Sequence, residues 1–207
     1  MYGNWACHIY EIWRVSEPPG GEAVKGVILR KGERAYSYFS GVFSAISPAV
    51  AERNWLITGY ENYPEALEPY GGNLGREAFF WVQGERLEEI VRQQDYPWYW
   101  GVLSGFKKEV PLHQVISYGL PYADGYTGFW KNPISIQHPM ADIEIVAWDS
   151  ALTLLISRDE AIAQAFRNAY PRSEDLETYN LGEPESEEWR KIWEEAELHY
   201  GDGVKGE

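Results

Sequence analysis

The sequence predicts an α+β fold: a single domain on a mainly antiparallel sheet, with short helices packed on one face and a C-terminal helix. Three observations carry this expectation. Strand patterns follow one another directly along most of the chain, with few helical stretches between them. Residues 142–171 read without interruption as strand, tight turn, strand and helix. Near the C-terminus, Trp189, Ile192, Trp193, Ala196 and Tyr200 form one apolar stripe at helical spacing.

The hairpin at 142–157 organises the rest. Ile143, Ile145 and Ala147 alternate with Glu144, Val146 and Trp148, and Leu152, Leu154 and Ile156 alternate with Thr153, Leu155 and Ser157. Folding back at Asp149-Ser150 sets Ala147 opposite Leu152, Ile145 opposite Leu154 and Ile143 opposite Ile156, so one face is wholly apolar and the register is well specified. Asp-Ser is not the favoured pair for a two-residue turn, and a four-residue loop in the same register is the alternative. Ser157-Arg158-Asp159-Glu160 has the form of a capping box with Ser157 as the cap. Ile162, Ala165, Phe166, Ala169 and Tyr170 then follow at helical spacing until Pro171 stops the run.

From the N-terminus, residues 5–15 read as a strand, and Val24–Arg30 as its return after Pro18-Pro19-Gly20-Gly21. Ala35–Ile46 is aromatic and β-branched. Ser47-Pro48 is a helix-start signature for a short helix over Ala49–Arg53. Asn54–Tyr60 is a strand, 61–75 a loop, and Glu77–Val82 another strand. An amphipathic helix after Gly84 presents Leu87, Ile90 and Val91. Trp98–Phe106 is a strand that places Trp98 and Trp100 on one face and Tyr99 on the other. Val110–Tyr118 fits either a helical turn or a strand. Residues 119–140 are irregular, with glycines and prolines among Tyr122, Tyr126, Phe129 and Trp130. A long loop in a compact domain is often functional, and its aromatics argue against disorder. The organisation is an α+β domain over 1–172 and an acidic segment over 173–207 with one amphipathic helix.

Composition narrows the function. The chain has 207 residues, 44% hydrophobic and 15% aromatic, with ten Trp and fifteen Tyr. The net charge of −14 argues against binding nucleic acid or anionic lipid, both of which need Lys and Arg. Residues 174–207 hold twelve acidic and three basic residues, so most of the charge lies there. No apolar run approaches the ~18 residues that span a bilayer. A single cysteine, Cys7, and an N-terminus without a signal-peptide pattern point to a reducing, cytoplasmic setting.

Catalytic and metal motifs are missing from the pattern. His8, His113, His138 and His199 stand apart from each other and from metal-ligand spacings, so no metal is expected. Cys7 reads as a core residue, no nucleophile elbow surrounds Ser104, and Gly71-Gly72-Asn73-Leu74-Gly75 lacks the strand-to-helix context of a phosphate loop. No cofactor is expected. The carboxylates Asp124, Asp142, Glu144 and Asp149 flank the irregular loop, and paired carboxylates can cleave glycosides. Asp149 is accounted for by its turn and Asp142 by its place at a strand start, so no catalytic residue is assigned.

The aromatic clusters remain. They are a lid over the core, or they are anchors, because aromatics dominate interface hot spots and apolar pockets. The candidate binding residues are Tyr122, Asp124, Tyr126 and Trp130, with Trp189 and Trp193 second. Asp124, in Tyr122-Ala123-Asp124-Gly125-Tyr126, is the one charge among the loop aromatics.

Asn54-Trp55-Leu56-Ile57, the Gly84…Leu87…Ile90 helix leading to Asp95-Tyr96, and Ile145-Val146-Ala147-Trp148-Asp149-Ser150 followed by Ser157-Arg158-Asp159 resemble an uncharacterised family of small bacterial proteins from Bacillus-like organisms. The resemblance spans about 54–170, implies an architecture, and carries over no catalytic residue. In composition the chain also resembles bacterial toxin-immunity proteins, acidic and aromatic-rich inhibitors that block a toxin with a basic cleft. That likeness implies a non-enzymatic protein binder whose partner carries a basic surface. The alternative is a small-molecule or carbohydrate-binding domain, with hydrolysis as one form, using 119–140 as a wall and Asp124 with Asp149 as its polar groups.

Overall fold

The computed structural model describes residues 24–182; the strand expected over 5–15 and the helix over 186–200 lie outside them. Eight strands make one sheet: β1 (Lys25–Leu29), β2 (Arg53–Glu61), β3 (Gly71–Leu74), β4 (Glu77–Gln83), β5 (Trp100–Lys107), β6 (Ile143–Trp148), β7 (Leu152–Ser157) and β8 (Glu174–Asp175). Their order is β3-β4-β2-β5-β6-β7-β1-β8, and every neighbouring pair is antiparallel. The helices are α1 (Phe39–Ile46), α2 (Gly84–Gln93), α3 (Leu112–Val115), α4 (Glu160–Ala169) and α5 (Leu176–Leu181). The expected α+β architecture on an antiparallel sheet is thus present. Among the described residues, no helix is long and apolar enough to cross a membrane.

Because side chains alternate across a strand, the sheet has two faces to cover, and each has its own core. On the first, Val27, Trp55, Ile57, Phe80, Leu103, Ile143, Ile145 and Leu155 meet Phe39 and Phe43 of α1, Leu87 and Ile90 of α2 and Phe166 of α4. On the second, Ile28, Leu56, Val102, Phe106, Val146, Leu154 and Ile156 meet Val115, Ala123, Phe129, Ile134, Ile136 and Leu176. Three helices cover one side. The irregular segment after β5, together with α5, covers the other.

Burial on both sides explains where the local sequence misleads. Ala147 pairs with Thr153, Ile145 with Leu155 and Ile143 with Ser157, one residue away from the register expected from the pattern. Both strands are buried on both faces, and Thr153 and Ser157 lie buried opposite Ala147 and Ile143, so the polar-apolar alternation does not fix the register. The turn fixes it instead. Asp149 and Ser150 take φ of 48° and 50°, Ala151 N–H donates to the Trp148 carbonyl at 2.9 Å, and Ala151 enters as the extra residue before Leu152.

Four further expectations need correction. The short helix lies before Ser47-Pro48, over Phe39–Ile46, and residues 48–52 are turn. Phe39, Val42, Phe43 and Ile46 are a helical stripe buried on the sheet, disguised by aromatic content that resembles a strand. Residues 61–75 are not all loop: Glu65–Tyr70 is a 3₁₀ helix and Gly71–Leu74 the edge strand β3. Trp98 and Trp100 do not share a face. Trp98 precedes the strand and packs on Phe39 at 5.1 Å, whereas Trp100 packs on Trp148 at 5.1 Å in the opposite core. Finally, Asp159 caps α4 by accepting from Ala161 N–H at 2.9 Å, while Ser157 closes β7 and its hydroxyl accepts from Asp159 N–H at 3.0 Å.

Residues 174–181 belong to the sheet and its cover. Val27 pairs with Asp175 and Ile28 with Glu174, and Leu176 is fully buried.

The close packing of α2 against the turn at 48–53 gives a direct check. A Cβ on Gly84 would overlap the Val50 carbonyl, with Arg53's carbonyl on its other side. Gly84→Ala is expected to destabilise the fold by about 3 kcal/mol, a backbone clash at the upper end of overpacking costs. Urea unfolding of both proteins reads this as a lowered midpoint at unchanged slope.

Candidate functional site

The cover over the second face runs from Lys108 to Ala141 and contains α3, two 3₁₀ turns (Ile116–Tyr118 and Gly128–Trp130) and otherwise irregular backbone. Pro121, Pro133 and Pro139 lack an N–H, and no strand neighbour offers a ladder, so its buried amides need acceptors from elsewhere. The sheet provides one. Glu144, in the middle of β6 and fully buried, accepts from Gln137 N–H at 2.7 Å, His138 N–H at 3.1 Å and Ser104 Oγ–H of β5 at 3.1 Å. Its carboxyl is pushed up to about 7 by burial, against the lowering effect of those three donors and of the Arg158 charge.

His138 is locked beside it. Its Nε2 lies 3.0 Å from the Val115 carbonyl and its Nδ1 accepts from Met140 N–H at 3.2 Å. The ring stands edge-on to Phe106 at 4.8 Å and to Tyr118 at 5.7 Å. Nδ1 serves as an acceptor, so the ring is neutral with its proton on Nε2. Burial depresses the His138 pKa in the same sense. Gln137 extends the attachment outward: its Oε1 accepts from Tyr122 N–H at 2.6 Å and its Nε2 donates to the Tyr122 carbonyl at 3.2 Å.

This arrangement fixes the aromatic residues in a row. Tyr122 meets Tyr126 edge-on at 5.5 Å, Tyr126 meets Phe129 at 4.7 Å, and Phe129 meets Trp148 at 6.4 Å. Trp130 meets Trp148 at 5.1 Å and Tyr179 of α5 at 6.1 Å. Phe129 is buried, Tyr126 and Trp130 are half-buried, and Tyr122 and Tyr118 remain 53% and 52% exposed. Asp124 sits at the tip of a turn closed by Tyr126 N–H to the Ala123 carbonyl at 2.9 Å. Gly125 adopts φ 78° there, which glycine tolerates without cost.

The expected binding residues therefore separate. Tyr122, Asp124 and Tyr126 lie together at one end of the layer, whereas Trp130 belongs to its inner part between Trp148 and Tyr179. Trp189 and Trp193 lie outside the described residues. The four carboxylates considered for catalysis do not converge. Asp142 is held by the Arg53 guanidinium at 3.0 and 3.1 Å, Glu144 is sealed under the loop, Asp149 is in its turn, and Asp124 is on the surface. Glu144 and Ser104 were the residues whose role the sequence concealed. The available signal was one charge inside the otherwise apolar strand Ile143–Trp148.

Two concavities among the described residues lie apart from the aromatic row. One, of about 340 Å³, is lined by Ser40, Phe43, Ser44, Ser47, Glu88 and Arg92. The other, of about 250 Å³, surrounds the Arg53–Asp142 pair with Glu52, Lys107, Lys108 and Glu109. No group of His, Cys, Asp and Glu among the described residues is placed to hold a metal ion. No protein-family model, curated protein or solved structure matches the chain.

Replacing Glu144 with alanine strips two buried donors and one part-buried donor of their shared acceptor. Each orphaned donor costs roughly 1–3 kcal/mol, so Glu144→Ala is expected to lose on the order of 3 kcal/mol or more. Thermal or urea unfolding followed by tryptophan fluorescence measures this. Ser104→Ala leaves both loop amides bonded and is expected to cost about 1 kcal/mol.

Proposed function

We propose that the chain is a non-enzymatic protein-binding module of the toxin-immunity kind. The surface that engages its partner is formed by Tyr118, Tyr122 and Tyr126 with Asp124 between them. The observation that carries this reading is the half exposure of Tyr118 and Tyr122 on a segment fastened to the sheet beneath. Exposed tyrosines on a pre-ordered backbone are suited to binding, because little side-chain or loop freedom is lost on association. The net charge of −14 supports a partner with a basic surface, towards which an acidic protein is steered at low ionic strength. A small-ligand reading centred on Asp124 and Asp149 has less support, since neither residue lines the concavities described above.

Affinity capture from the native host, at low and high salt, tests this reading with variants at exposed side chains whose folding is checked by circular dichroism. The wild-type chain is expected to retain a specific protein at low salt and release it at high salt. Tyr118→Ala/Tyr122→Ala is expected to weaken that complex by roughly 30-fold or more, the ~2 kcal/mol of a hot spot. Asp124→Asn is expected to slow association and flatten the salt dependence. Equal retention by the double tyrosine variant contradicts the assignment. A C-terminal truncation run alongside starts at residue 183, because removal from 174 deletes β8 and the buried Leu176.

A further inference from the structure

We propose that His138 and Glu144 form a proton-exchanging clamp: seating the 119–140 segment on the sheet takes a proton from His138 and places one on Glu144. The seat therefore holds through mildly acidic conditions with almost no net uptake of protons. This inference concerns the chain alone and does not depend on any partner.

The geometry supplies both halves. His138 is 2% exposed, with Nδ1 accepting from Met140 N–H and Nε2 directed at the Val115 carbonyl. A second ring proton would face the Met140 amide proton, so the seated ring is neutral. Glu144 has no exposure and no cation within hydrogen-bonding reach. The Arg158 guanidinium, the nearest positive influence, gives its Nε–H to the Ala141 carbonyl. A neutral Glu144 keeps the loop amides of Gln137 and His138 bonded. With its proton on Oε1 directed at Ser104 Oγ, the Ser104 hydroxyl changes from donor to acceptor in that contact.

Few titratable or charged groups face the pair. Across the sheet Glu144 faces Ser104 on β5 and Ile156 on β7. From the loop, Tyr126 is held above the ordinary tyrosine value by burial and then by Glu144. Tyr118 packs on the His138 ring, and Asp142 on the same strand is neutralised by Arg53.

When the segment lifts, both side chains meet water. Between about pH 5.5 and 6.5, lifting releases the Glu144 proton and puts one on His138. The signs oppose. A raised carboxyl favours the seated form at low pH and loses that advantage as pH climbs towards 7. A depressed imidazole favours the seated form at high pH and loses that advantage as pH drops below 6.5.

Amide hydrogen exchange of Gln137, His138 and Met140, corrected for intrinsic rates, reads the balance. In the wild-type chain, protection is expected to change by less than about twofold between pH 5.5 and 6.5. In Glu144→Gln, an isostere of the neutral acid, protection is expected to fall about fivefold on going down from 6.5 to 5.5. In His138→Gln it is expected to fall about sevenfold on going up over the same range. A wild-type change above fivefold, or a Glu144→Gln slope equal to that of wild type, overturns the proposal. If either variant does not fold, NMR titration of the wild-type chain decides. A Glu144 carboxyl still protonated at pH 6 with a His138 ring carrying only the Nε2 proton supports the clamp. An ionised Glu144 or a doubly protonated His138 at that pH overturns it.

Discussion

The structure depends on one constraint: the central strands β5, β6 and β7 are buried on both faces, so the sheet needs two covers. Helices make the first with no backbone difficulty, since their amides are satisfied internally and α1, α2 and α4 need only an apolar stripe. The second cover is irregular backbone interrupted by prolines, and its amides have no ladder to join. A carboxylate rising from the middle of β6 resolves this. It reaches Gln137 and His138 in the cover and Ser104 on the neighbouring strand. Burying Glu144 is costly, and the cost is contained by three donors and by its shift towards the neutral form.

From that attachment the outer surface follows. Gln137 transmits it to Tyr122 by two hydrogen bonds between its side-chain amide and the Tyr122 backbone, and the edge-on contacts from Tyr122 through Tyr126 to Phe129 tie the surface tyrosines to the buried row beneath. The aromatics are thus both lid and surface: Phe129 and Trp130 seal the core, while Tyr118 and Tyr122 project beyond it. In the proposed reading, this tyrosine-bearing patch is what a basic partner would meet.

Much of this architecture was legible in the sequence, and the misses have physical causes. The strands 77–83 and 143–157 and the helices α2 and α4 were readable because their periods are clean and turn or capping residues bound them. Helix α1 was hidden by Phe39 and Phe43, aromatic residues that suit a strand as well as a buried helix face. The hairpin register was hidden by the same two-sided burial that organises the fold. Trp98 was misplaced because alternation was extended two residues beyond the start of β5. In 119–140 the irregular backbone was legible from its glycines and prolines. Its fastening was missed because Glu144 looks, in sequence, like an ordinary exposed alternate position, and only a cover on that face makes it buried.

The central claim is that the 119–140 segment is a fixed layer of the fold and not a loose lid, and limited chymotrypsin digestion with mass-spectrometric mapping tests it most directly. The enzyme accepts Tyr118, Tyr122 and Tyr126, of which the first two are half exposed, so side-chain access is no obstacle and only backbone fixation protects them. The account predicts no early cleavage after these residues under native conditions, with survival matching that of the β5–β6 core. Rapid cutting at Tyr118, Tyr122 or Tyr126 while the rest of the described domain stays intact would contradict it.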